Sequence, residues 1–209
     1  MVAKLNRIKV EEKLKSLKLP LFTPREFRDI FDVPEKTARI FITRNVKSGL
    51  FVKMRNNFYL LKDSHTSPYF IANTLYRPSY ISLETALSHY GIIPEAVYTI
   101  TSITSKPTRE FVTPIWTFSY QRIKQEAFTG YRAIDDFQGT RVLLAEPAKA
   151  LVDYLYFVDL KQVSLNDRLE LRGIAKKKVL EYAAVFKRPS LMLLVKHIYV
   201  EQRKPRIIY

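Results

Sequence analysis

"DVPEKTARIFITRNVKSGLFVKMRNNFYLL", residues Asp32 to Leu61, decides how the chain should fold. Its first half has the spacing of a helix. Advancing about 100° per residue, Ala38, Ile42, Asn45 and Gly49 gather on one side, flanked by Phe41 and Val46. Lys36, Arg39, Ile40, Thr43, Arg44 and Lys47 fall on the opposite arc, with Thr37 at its edge. Asp32, Pro34 and Glu35 signal a start, and Gly49 a stop. In the second half, Leu50 to Met54 and Phe58 to Leu61 read as short strands around Arg55-Asn56-Asn57. Asparagine tolerates the left-handed conformation that a tight hairpin needs, so these strands should pair.

Two more helices are expected upstream. Val10, Leu14 and Leu17 give the first an apolar stripe, and Thr23-Pro24-Arg25-Glu26 announces the second. There Thr23 caps, Pro24 takes the first helical position and Glu26 closes a capping box. Three helices and a hairpin, in that order, make residues 1–62 a winged helix-turn-helix. On that reading Lys36, Thr37, Arg39, Ile40, Thr43, Arg44 and Lys47 face a DNA major groove, and Lys53, Arg55, Asn56 and Asn57 form the wing. An ordinary solvated helix face has the same composition. Charge favours the DNA reading: 15 of the 35 Lys+Arg but only 6 of the 20 Asp+Glu lie in residues 1–62. The whole chain of 209 residues carries a formal +15, a field that attracts polyanions.

Composition removes other classes. There is no cysteine, hence no disulfide framework or thiolate metal site, and His65, His89 and His197 are the only histidines. No apolar run reaches the length of a membrane span, and no signal peptide opens the sequence, so a cytoplasmic protein that does not enter membranes is expected. Five scattered glycines form no phosphate loop. Neither cofactor nor metal is expected.

Asp63 to Pro68 is polar and reads as a linker to a second, mixed α/β domain over residues 69–209, making the chain α+β overall. Strands are expected at Val97–Thr104, at Ile115–Tyr120 with Trp116, Phe118 and Tyr120 on one face, and near 127–134 and 140–145. Helices are expected near Tyr69–Leu75, over "EPAKALVDYLYF", around Val179–Phe186 and around Leu191–Ile198. In "YISLETALSHYGIIPE", Leu83, Ala86, Leu87 and Tyr90 make one apolar face, with Ser82 as cap and Gly91 as stop. Ser88 and His89 are consecutive on that helix and point apart, which does not suit a nucleophile and its base. Asp135, Asp136, Glu146 and Lys149 lie near one another as in some nucleases, but lack the usual Glu-X-Lys spacing. Lys149 and Asp153 read as an i, i+4 surface pair.

"SYISLETALSHYGIIPE", "VYTITSITSKPTREF", "WTFSYQRI", "FTGY" and "AEPAKALVDYLYF" together resemble the AbiEi antitoxins of type IV toxin–antitoxin systems. The resemblance covers about residues 20 to 158. It implies a phage-defence antitoxin that is not an enzyme. Its winged helix would bind inverted repeats in double-stranded DNA upstream of its own operon and repress it. Its second domain would counteract a nucleotidyltransferase-like AbiEii toxin without forming a stable complex. The competing reading is a nucleic-acid-processing enzyme, a nuclease or nucleotidyltransferase, delivered by a basic head.

Overall fold

The computed structural model describes residues 5–136 and 139–201. Helix α1 (Arg7–Ser16) starts at Asn6, whose side chain accepts from the amides of Ile8 and Lys9. It buries Val10 and Leu14, whereas Leu17, expected on the same stripe, follows the last turn and is 46% exposed. Strand β1 (Leu21–Phe22) leads into α2 (Pro24–Phe31). The capping box is there: the Glu26 carboxylate accepts from the Thr23 amide at 2.7 Å, and Thr23 Oγ1 accepts from the Glu26 amide at 3.3 Å.

Asp32 does not begin the next helix. It sits in the left-handed region (φ 46°, ψ 55°) and closes α2. Helix α3 (Glu35–Lys47) starts after Pro34 with no side-chain cap, and the chain turns out of it through Gly49 at φ 79°. Strands β2 (Phe51–Arg55) and β3 (Phe58–Leu61) pair antiparallel about Asn56-Asn57, where Asn57 takes φ 62°. β1 adds to the far side of β3, Leu21 opposite Leu60, giving a three-stranded sheet in the order β1-β3-β2.

The two faces of this small sheet belong to different cores, because successive side chains of a strand point to opposite sides. Phe22, Phe51 and Leu61 join Val10, Leu14, Phe27 and Ile42 in one cluster. Leu21, Met54 and Leu60 join the core of the rest of the chain.

That larger part continues through α4 (Pro68–Leu75), β4 (Ser79–Ile81), α5 (Leu83–His89), β5 (Thr99–Thr104), β6 (Arg109–Val112), β7 (Thr117–Arg122), β8 (Tyr131–Asp135) and β9 (Arg141–Ala145). Three helices follow: α6 (Pro147–Asp159), α7 (Lys176–Val185) and α8 (Pro189–Glu201). The sheet is mixed, in the order β6-β7-β5-β4-β9-β8, with β4 parallel to β9, β5 parallel to β7 and the other pairs antiparallel. Helix α4 packs on β4, β5 and β9, while α5 lies between β5 and α6. Helices α7 and α8 close over α6. The chain is thus α+β.

Some expected strands shift. The segment expected as a strand from Ala127 is a 3₁₀ turn (Gln125–Ala127), and β8 begins only after Gly130 at φ 75°. Gly130 is close-packed: a Cβ there would stand 2.7 Å from the Tyr182 ring and 2.9 Å from Lys149 Cγ. Phe118 and Tyr120 are buried as expected, but Trp116 lies just before β7 and stays partly exposed. No helix among the described residues is long and apolar enough to cross a membrane.

Candidate nucleic-acid interface

Helix α3 buries Ala38, Ile42 and Asn45, which fixes the direction of its outer face. Asn45 is accommodated among apolar neighbours because its Nδ2 donates to the Phe41 carbonyl at 2.9 Å and its Oδ1 accepts from Ser48. Lys36, Arg39, Thr43, Arg44 and Lys47 are all exposed, Ile40 is 43% exposed, and Thr37 is half-buried at the edge. Arg39 pairs with Glu35 one turn back, its Nη2 at 2.8 Å and its Nε at 2.9 Å from the same carboxylate oxygen. Both side chains are exposed, and such pairs are worth about 0–1 kcal/mol, so the guanidinium is cheap to release.

The hairpin divides its side chains. Lys53, Asn56 and Asn57 are exposed at or near its tip. Arg55 is directed elsewhere, which corrects its expected place among the outward wing cations. Its Nε donates to the Leu75 carbonyl at 2.9 Å, and its guanidinium lies 4.0 Å from the Phe58 ring centre and 5.6 Å from that of Phe111. A register shift between Lys53 and Arg55 accompanies this turn toward the larger part.

The segment that invites a catalytic reading is spent on packing. Ser88 Oγ donates to the Glu95 carbonyl at 2.9 Å, while the His89 ring packs 5.9 Å from Tyr69 and 5.0 Å from Tyr90. Burial lowers the His89 pKa. Ser82 precedes α5 but its hydroxyl does not cap it, donating instead to Asp153 Oδ2 at 2.8 Å.

That bond leads into a buried ion pair where a surface pair is expected. Lys149 and Asp153 are not a surface pair: their side chains are 1% and 0% exposed. The ammonium contacts Asp153 Oδ1 directly, and the other carboxylate oxygen accepts from Tyr80 OH at 2.9 Å and from Ser82. Lys149 Nζ also sits 5.6 Å from the Tyr80 ring centre and 5.3 Å from that of Phe186. Burial pulls the Lys149 pKa down and pushes that of Asp153 up, each opposed by the partner's charge. Burial, with Asp153 beside it, drives Tyr80 well up, so its hydroxyl stays a donor. The quartet ties α6 to β4 and the start of α5.

The remaining nuclease candidates do not converge with it. Glu146 stands at the start of α6, pairing with Lys178 at 2.5 Å and accepting from Tyr182 OH at 2.9 Å, contacts that lower its pKa against the opposing effect of burial. Asp136 accepts from the Thr140 amide in the turn after β8. No group of three or more His, Asp or Glu side chains that could hold a metal ion occurs among the described residues. Compared with models of known families and with curated proteins, the chain matches none.

Proposed function

We propose that residues 1–62 are a winged helix-turn-helix that reads double-stranded DNA with the outer face of α3. The observation that carries this reading is that face: cationic and hydroxyl side chains stand outward along one helix whose other side is fixed in a core, beside a hairpin presenting Lys53, Asn56 and Asn57. A helix of this kind suits a major groove, and a neighbouring basic hairpin suits phosphates. With the resemblance to AbiEi antitoxins, the function we propose is an autorepressor that binds an inverted-repeat operator. Its larger part would counteract a nucleotidyltransferase-like toxin without catalysis of its own.

The proposal assigns separable roles. Thr43 and Arg39 lie near the middle of the face and approach base edges, whereas Lys47 and Lys53 meet phosphate. An Arg–guanine bidentate contact is worth about 1–3 kcal/mol of discrimination, but a phosphate contact carries no direct sequence information. Arg39→Ala should therefore weaken binding to the operator roughly 5- to 150-fold more than binding to a scrambled duplex. Lys53→Ala should weaken both about equally and flatten the salt dependence by about one unit. Titrating each variant against both duplexes at two salt concentrations checks this. Equal losses for Arg39→Ala would leave it a positioning contact and move the reading face elsewhere.

A further inference from the structure

Arg55 faces a groove between the hairpin tip and the open edge of the six-stranded sheet. The groove holds about 730 Å³, within the roughly 300–1,000 Å³ common for small-ligand sites. Arg55, Arg77, Lys106 and Arg109 border it, and Arg77 is steadied there by donating from Nε to the Asn73 carbonyl and from Nη2 to Thr74 Oγ1, each at 3.3 Å. No carboxylate pairs with Arg77, Lys106 or Arg109 among the described residues. Glu110 also borders the groove, but the pleat of β6 turns its carboxylate to the other face, beside Ser119 and Gln121.

The second ingredient is aromatic. Arg109 and Phe111 share one face of β6, and Phe111 meets Tyr76 edge-on with ring centres 6.0 Å apart. Lys106 Nζ stands 5.7 Å from the Tyr76 ring centre. The Arg55 guanidinium, stacked on Phe58, adds a planar cation between the hairpin and this aromatic corner. Burial, against the opposing effect of Tyr120 and with a smaller contribution from Arg109, lowers the Arg55 pKa. Arg55 and Arg109 are like charges bordering one groove and repel. An anion placed between them relieves that repulsion.

We propose that this groove binds a nucleoside phosphate, its phosphates held by Arg77, Lys106 and Arg109 and its base lying against Tyr76, Phe111 and the Arg55 plane. Guanidiniums fit phosphate oxygens in bidentate fashion, and aromatic rings and guanidinium planes stack bases with little regard to sequence. The site stands apart from the α3 face and does not depend on the duplex reading.

Calorimetric titration of the full chain with ATP and with tripolyphosphate tests it, with circular dichroism confirming that each variant is folded. ATP is expected to bind saturably, and at least tenfold more tightly than tripolyphosphate. Lys106→Ala/Arg109→Ala should weaken ATP by tenfold or more. Phe111→Leu should weaken ATP and leave tripolyphosphate unchanged. Arg44→Ala/Lys47→Ala, on the α3 face, should leave ATP binding unchanged. Absence of saturable ATP binding overturns the proposal. So does equal affinity for the two anions with no effect of Phe111→Leu, which would leave only an anion patch. Loss of duplex affinity in Lys106→Ala/Arg109→Ala, with no ATP binding to the unaltered protein, would make the groove a seat for nucleic-acid backbone instead.

Discussion

Replacing Lys149 with methionine should lower the unfolding free energy by about 3–5 kcal/mol, because removing one partner leaves the other charge buried and uncompensated. Asp153 would keep Tyr80 OH and Ser82 Oγ as donors but lose its counter-charge. Its pKa, already raised from 3.8 by burial, would rise further. A carboxyl whose folded pKa lies above its unfolded value contributes stability below the unfolded pKa and loses it as pH rises through the folded one. The deficit of Lys149→Met should therefore be small in acid and grow toward neutral pH. Adding Asp153→Asn should restore a large part of the loss, since the amide oxygen still accepts from Tyr80 and Ser82. Denaturant unfolding of the three proteins across pH is the measurement. A cost under about 1 kcal/mol for the single variant would mean that the pair is solvated after all.

Duplex binding should show an equally large effect. If Lys36, Arg44, Lys47 and Lys53 each meet a phosphate, log affinity should fall against log salt with a slope of about −3.6. Between about 50 and 200 mM salt that is roughly a 150-fold loss. Arg44→Glu/Lys47→Glu removes two of these contacts and adds repulsion, so it should weaken binding by more than about 100-fold and halve the slope. Titrations at several salt concentrations report both quantities. A slope between zero and about −1 would leave the basic face as ordinary solvated surface.

Signals contained within a few residues were legible. The Thr23–Glu26 capping box, the shared side of Ala38, Ile42 and Asn45, and a left-handed asparagine in the hairpin turn were all expected from local sequence, and Asn57 is the one that takes that conformation. Elements defined by distant partners were not. β1 has two residues and β4 three, too few for periodicity, and each exists because another strand lies beside it. Arg55 escaped for a related reason: the register shift that turns it is a property of the pairing. The Lys149–Asp153 pair was misplaced because i, i+4 spacing looks the same on a surface and in a core. Its signal lay in the helix around it. Ala148, Ala150, Leu151, Val152, Tyr154, Leu155 and Phe157 leave α6 apolar nearly all round, with no side for a solvated pair.

The two-faced small sheet has a consequence for how a pair of molecules would share an operator. Polar residues 63–66 suggest a tether, yet Leu21, Met54 and Leu60 are walled into the larger core and Arg55 is fastened to Leu75. Helix α3 is therefore seated on a sheet whose other face is packed into the larger core. Half-sites recur on the same side of a duplex about every 10–10.5 base pairs. Two copies with jointed heads could absorb an error in that phase by letting their bodies trail. On the proposed DNA reading, copies built like this one would carry the error into the bodies themselves, so the shape of the larger part would set which half-site spacings two molecules can occupy together.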